Sequence, residues 1–366
     1  MVNKFGIIGC GMIAKFHARA IKDAGGKLVA CYDHIPQAAE NIAKEFGCKA
    51  YESLDGLLAD PNVEIVTIGT PSGAHCEPAV AAAKAGKHII VEKPLEITLE
   101  RCDAIIEACD KAGVTLSAIF PSRFHDSSVK IKNAITANRF GRLTLGDAIV
   151  KWYRTQGYYD SGVWRGTWEL DGGGALMNQA IHSVDLLTWL MGPVVEIRAQ
   201  TALLAHERIA VEDAAVATVQ FANGALGVIE ATTAAFPGYL KRVEIHGVAG
   251  SAVLEEEDIV KWDFSESVAD DAAIREAMTH RLSGGGGAAD PAAIGHHGHA
   301  RQFADVLDAI QNGRKPLIDG PEGRRSVEII LAIYQSAETG RAVGLPLTTD
   351  PELVVRKSGM VKRDCV

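Results

Sequence analysis

Lys93 and His182 are the side chains of this sequence best suited to handling a hydroxyl group. Lys93 follows the apolar run 88–91, so a positive charge stands just past a strand end. There it could bind and polarise a hydroxyl, against the plainer reading of a solvent-facing lysine. Pro94 removes a backbone donor and stiffens the turn, which would aim the lysine. Glu92 is better placed to shape that loop than to transfer a proton. Further on, a helix is expected over 175–191. In it Asn178, His182 and Asp185 recur at i, i+4 and i+7 and share one face. Asn178 and His182 are then close enough to hold one small polar ligand or to bond each other, and a satisfied helix histidine is the alternative. Imidazoles invite a metal reading too, both here and at His296, His297 and His299. Neither group has convergent Cys or His partners at a recognised spacing, so no metal is expected.

These residues need elements to position them, and the amino terminus supplies the clearest. A short buried strand over 5–9 leads into Gly9, Gly11 and Ala14 in the pattern GxGxxA, then an amphipathic helix to about 24 and a second strand over 27–32 ending at Asp33. Strand, glycine turn, helix, strand and acid together form a dinucleotide site. Gly9 permits the turn, Gly11 admits the pyrophosphate, and the helix amino terminus favours its charge. Asp33 can accept both adenosine ribose hydroxyls and would repel a 2'-phosphate. No arginine follows it, so NAD is expected rather than NADP.

The alternation continues with helices over 37–46, 76–85 and 98–112 and strands over 63–68, 88–91 and 114–119, which makes a mostly parallel sheet covered on both faces. Ligands belong beyond the carboxyl ends of its strands, at Gly69-Thr70-Pro71-Ser72 and Glu92-Lys93-Pro94. Cofactor contacts are therefore expected at Gly9, Gly11, Met12, Ile13, Asp33, Thr70, Pro71, His75, Glu92 and Lys93. Past Pro121 the texture changes. A helix is expected over 127–138, then strands over 146–153, 194–204, 214–221, 225–231, 242–247 and 250–255, with Asn223-Gly224 marking a hairpin. The fold class is an α/β Rossmann domain (1–121) followed by an α+β domain (122–366) with an open, predominantly antiparallel sheet, whose closing segment is free to return to the first domain. Residues 269–293 read as a surface excursion or crossing arm. Helices are expected over 299–312 and 324–339, and an extended piece at 345–347.

At 366 residues and 47% hydrophobic composition, the chain can fill two cores. Its formal charge of -9 comes from scattered residues, which argues against a nucleic-acid face. No apolar stretch reaches transmembrane length, and no signal peptide is apparent. Seven cysteines, an odd number gathered mostly in apolar segments, suggest free thiols in a reducing compartment, hence a cytoplasmic protein.

The amino-terminal GxGxxA, Glu92-Lys93-Pro94, the run GGGALMNQAIHSVDLLTWL and the closing PLIDGPEGRRSVEIILAIYQSAETG together resemble the glucose-fructose oxidoreductase, inositol dehydrogenase and MocA-type sugar oxidoreductases. The resemblance covers nearly the whole chain. It implies an NAD-dependent oxidation of a secondary hydroxyl on a sugar, polyol or sugar derivative. Lys93 would reach the substrate, His182 would be the acid/base, the peptide before Pro94 would be cis, and the open sheet would pack in homodimers or homotetramers. Asn178 departs from the pattern, since many relatives carry Asp there, and an amide cannot carry a proton. Branches acting on nucleotide-linked or acidic sugars share the phrase WRGTWELDGGG, making Arg165 a candidate for a substrate phosphate or carboxylate. Two other functions fit the same residues: an enzyme that retains NAD and cycles it within one turnover, and a non-enzymatic sugar and dinucleotide sensor.

Overall fold

The computed structural model describes residues 2–279 and 296–353. It opens with β1 (Lys4–Ile8), α1 (Met12–Asp23) and β2 (Lys27–Tyr32). The last four residues of β1 are buried, so helices must cover both of its faces. With β3 (Lys49–Tyr51), β4 (Ile65–Ile68), β5 (His88–Val91) and β6 (Leu116–Ala118) it forms a six-stranded sheet in the order β3-β2-β1-β4-β5-β6. Every neighbouring pair is parallel. The strand order reverses between β1 and β4, and a ligand crevice opens at the carboxyl ends there. The sequence reading lacks β3 and the short helix α3 (Leu54–Leu58), because runs of three to five residues are too short to show a period.

The second sheet has eight strands: β7 (Leu143–Lys151), β8 (Val194–Ala202), β9 (Ala214–Phe221), β10 (Leu226–Thr232), β11 (Arg242–Gly247), β12 (Gly250–Glu255), β13 (Asp258–Phe264) and β14 (Val343–Gly344). Their order is β13-β12-β11-β7-β10-β9-β8-β14. All pairs are antiparallel except β7 with β10. Strict alternation along β9 turns Ala215, Ala217, Val219 and Phe221 inward and leaves Val216 exposed, the mark of a sheet with one covered face. The helices on the covered side are α8 (Ile181–Met191) and α11 (Gly320–Thr339). The Asn223-Gly224 hairpin forms as expected, with Gly224 at φ +86° and the Asn223 side chain accepting from the Ala225 N–H.

Helix α10 (His297–Asn312) crosses back to the first sheet. Its Phe303 and Val306 join Phe5, Ile7 and Ile21 in one buried cluster, with the Phe5 and Phe303 rings 5.8 Å apart.

Three expectations need correction. Residues 270–279 of the supposed surface excursion form a docked helix, α9 (Asp270–Thr279). Asp271 in its first turn is buried, accepting from the Arg139 guanidinium at 2.8 Å and the Trp262 indole at 2.7 Å, which anchors what composition alone leaves loose. The rest of that excursion lies outside the described residues. The helix expected over 175–191 is a π-helical segment at Ala175–Ala180 followed by α8, so one regular face does not run its whole length. Lastly, Cys10, Cys31, Cys48, Cys102 and Cys109 are free thiols, but Cys76 is disulfide-bonded. Spacing along a chain does not reveal which sulfurs meet in space. Cys365 lies outside the described residues.

Candidate active site

The turn after β1 is built to leave space. Gly9 sits at φ +90°, and a Cβ there would approach the Gly69 and Thr70 backbone to 2.7 Å, whereas a Cβ on Gly11 would meet nothing within 4 Å. Gly11 is also the cap of α1, with no side chain bonded to the helix's first N–H groups and no acid in its first turn. Ala14 N–H bonds back to the Gly11 carbonyl at 3.2 Å, and the Met12 and Ile13 N–H groups ahead of it are placed to meet an anion. Met12 is exposed beside them, and Ile13 packs toward Gly69. At the end of β2, Asp33 accepts from the Cys10 N–H at 2.7 Å with one oxygen and from the Ile35 N–H at 2.8 Å with the other. Oδ1 also has His34 Nδ1 at 3.1 Å, while Oδ2 keeps a lone pair, so a ribose hydroxyl can still be bound there. This donor set fits a dinucleotide.

Two loops bound the crevice on the β4 and β5 side. The His75 ring, buried, bridges the carbonyls of Thr70 and Pro94 at 2.9 Å each and ties the Thr70-Pro71 turn to the Lys93-Pro94 turn. The Lys93–Pro94 peptide is cis. Glu92 stands behind this edge, with one oxygen 2.8 Å from His17 Nε2 and the other accepting from the Lys93 N–H at 3.0 Å. Burial works against its charge, but His17 and His299 outweigh it and hold the carboxyl well below the usual range.

Lys93 reaches from this edge to the second domain. Its Nζ donates to the main-chain carbonyl of Asn178 at 2.7 Å and lies 3.5 Å from that residue's Oδ1. Asn178 lies in the π-helical segment, where the wider turn shifts the ladder of backbone bonds. The start of that segment is held from β9's side: the buried Glu212 carboxylate accepts from the Gly174 and Leu176 N–H groups at 2.9 and 2.8 Å and from the Tyr334 hydroxyl at 3.0 Å. His182 follows in the first turn of α8, its ring 5.8 Å from that of Phe120 and its Nδ1 buried without a partner among the described residues. Burial, then the charges of Lys93 and Lys241, push its pKa well below the usual value, which keeps the imidazole neutral. Burial likewise lowers Lys93, opposed by Glu92 and Asp171 and reinforced by Arg165 and Arg154. Asp185, expected on the same face, is instead fully buried in an ion pair with Arg123 at 2.7 Å.

Beside Asn178 the wall turns basic. Arg165 donates to the Tyr158 hydroxyl at 2.6 Å and stacks 4.4 Å from that ring. Arg154, its guanidinium carbon 5.5 Å from the centre of the same Tyr158 ring, donates to Gln179 Oε1 at 3.1 Å. Gln179 in turn donates to the Tyr158 hydroxyl at 3.0 Å and to Asn178 Oδ1 at 3.3 Å.

Comparison with known proteins agrees with this architecture. Residues 3–120 match the model of the oxidoreductase family with an NAD-binding Rossmann fold, and residues 128–253 match the GFO/IDH/MocA C-terminal domain. The chain belongs to the GFO/IDH/MocA oxidoreductase family. Among solved members, the WlbA dehydrogenase from Bordetella pertussis, determined in complex with NADH and UDP-GlcNAcA, is 37% identical with a TM-score of 0.86, covering 94% of this chain and 98% of that one. The myo-inositol 2-dehydrogenase of Thermotoga maritima is 26% identical over 93% of this chain and 98% of its own length. The inositol 2-dehydrogenase of Rhizobium meliloti is 29% identical over 70% and 76%.

In this family member, several residues near the site were not singled out by sequence reasoning. Arg154, Tyr158 and Gln179 carried no motif; only their convergence in space marks them. His17 was hidden as one polar residue on an apolar helix face. With Glu92 and His299 it forms a buried group whose ligand atoms lie within 4.8 Å of one another. His17 Nδ1 is also bonded to Thr67 at 2.8 Å, so this group braces α1, β4 and α10 against the Lys93 loop.

Proposed function

We propose that this protein is an NAD-dependent dehydrogenase that oxidises a secondary hydroxyl of an anionic sugar derivative. The observation that carries the reading is the 2.7 Å bond from Lys93 Nζ to Asn178, which brings the lysine of the dinucleotide domain against the His182 segment of the second. The cofactor would lie along Gly9, Gly11, Met12 and Ile13, with Asp33 at its adenosine ribose and Thr70, Pro71, His75, Glu92 and Lys93 around its nicotinamide end. NAD, when bound, supplies the hydride acceptor. His182, neutral because it is buried, takes the hydroxyl proton, and Lys93 stabilises the developing alkoxide while Asn178 orients the neighbouring hydroxyl. Each group acts only from contact distance.

The anionic substrate class rests on Arg154 and Arg165. Two guanidiniums beside the hydroxyl-handling residues suit a carboxylate or phosphate, which guanidinium binds through paired bonds. A relative at 37% identity holding an acidic nucleotide-linked sugar supports the same class. The test is NADH absorbance with neutral sugars, polyols, sugar acids and nucleotide-linked sugar acids. Wild type should turn over the acidic classes. Lys93→Ala and His182→Ala should each lower kcat by about 10²–10⁴-fold with NAD affinity nearly intact. Ordinary turnover in both variants overturns the assignment.

A further inference from the structure

Asp171 is nearly fully buried, at 1% exposure, one hydrogen bond away from the Lys93–Asn178 contact. Its Oδ1 accepts from Asn178 Nδ2 at 2.5 Å and its Oδ2 from the Gly166 N–H at 2.9 Å. A carboxylate is an acceptor on both sides. Asn178 must therefore turn its NH₂ toward Asp171, which leaves Oδ1 facing Lys93 Nζ and Gln179 Nε2. We propose that Asp171 is a positioning residue, whose ionised carboxylate fixes the Asn178 amide and thereby aims the Lys93 ammonium at the reacting hydroxyl. The inference rests on the proposed role of Lys93.

The same contact restores what Asn178 lacks. An amide there cannot carry charge, but through it the negative charge of Asp171 stands one side chain behind the lysine. Protonated, Asp171 becomes a donor on one side, and the amide loses its reason to keep its oxygen toward Lys93. Burial raises the Asp171 carboxyl to about 6, in spite of the Gly166 N–H, the Asn178 amide, and the charges of Lys93 and Arg165. The other titratable groups around it are Tyr159, whose pKa burial raises, and Glu92, held well below the usual range on the far side of Lys93. His182 is pushed well below its usual range. Glu212, which holds the start of the π-helical segment, is also raised by burial, to about 7, so an acidic limb in kcat near pH 6 belongs to Asp171 when Asp171→Asn removes it and Glu212→Gln leaves it in place.

The test is Asp171→Asn alone and combined with Asn178→Asp. The single variant must set a donor against either the Gly166 N–H or the Asn178 NH₂. It should lower kcat by about 10-fold or more, leave NAD affinity unchanged and abolish the acidic limb. In the double variant the new amide accepts from Gly166 and donates to a carboxylate placed directly at Lys93, so kcat should recover most of the loss. A merely structural role predicts no such rescue and overturns the proposal, as does an unchanged acidic limb in the single variant. A readout without substrate separates this from the dehydrogenase reading: acylation of Lys93 by an amine-reactive ester, mapped by peptide mass spectrometry across pH. Asp171→Asn should speed labelling several-fold, because loss of the carboxylate further favours the neutral amine. Unchanged labelling overturns the proposal even if turnover is normal. Faster labelling without any turnover in wild type leaves Asp171 in place and removes the substrate reading.

Discussion

Asp33 is the residue on which we propose that cofactor choice turns. Its carboxylate is fixed by two backbone N–H groups, so it cannot swing aside for a 2'-phosphate, and repulsion in the native geometry falls on the phosphate. Asp33→Ala should weaken NAD by about 10-fold, the order of a charge-assisted pair of hydrogen bonds, and bring NAD and NADP closer to parity. Fluorescence titration with both reduced cofactors reads this; an unchanged ratio removes Asp33 from the account. Arg165 makes the matching statement about substrate. Its guanidinium bonds the Tyr158 hydroxyl and has donors to spare. Arg165→Ala should cost an anionic sugar about 10–100-fold in kcat/KM, from a lost charged hydrogen bond of ~1.5–3 kcal/mol, and a neutral polyol far less. Equal losses on both would mean that Arg165 only supports the fold.

At the scale of elements, the π-helical segment carries the consequence. Glu212 holds its first turn by two N–H groups, and a side chain on Gly174 would collide with the Glu212 carbonyl. Burial lifts the Glu212 carboxyl to about 7 from 4.5. Between those values the folded chain keeps a proton that the unfolded chain has released, so stability falls as pH rises through that window. Urea unfolding at pH ~5 and ~8 should show this slope, on the order of 2–3 kcal/mol from Glu212, and Glu212→Gln should remove that part, leaving the smaller slope of the same sign from Asp171. A slope unchanged in the variant would assign it to other groups. Apolar strands were legible in the sequence: β2 and β5 as short apolar runs, β9 and β11 by alternation and β12 between its turns, all with the expected bounds, and the GxGxxA turn stands where its glycines require. The π register was not legible, since ALMNQA has ordinary helical composition and Glu212, which bonds the N–H groups at its start, is supplied from elsewhere in the chain. Asp185 misled for a similar reason. Spacing put it on the site face, but Arg123 was there to pair with it inside the core. Lys93 and His182 could be named from sequence, whereas Asp171 and Arg154 needed the distances.

At the scale of the whole molecule, the described residues leave one face of the second sheet uncovered. The outer face of the eight-stranded sheet exposes Val216 at 53% and Leu226 at 58%, and apolar groups on an open sheet suit a second copy of the chain. Homodimers or homotetramers are therefore proposed through this face. Val216→Glu combined with Leu226→Glu should shift sedimentation toward a monomer, and an unchanged species would place the contact elsewhere. Among the described residues, no helix is long and apolar enough to cross a membrane. The return of α10 to the first sheet reaches furthest. Phe303 and Val306 complete a core begun by Phe5 and Ile7. During synthesis, the face of the amino-terminal sheet that α1 helps to cover therefore stays incompletely closed until most of the second domain has been made. The half that is first to be made thus closes its core only after most of the other half exists.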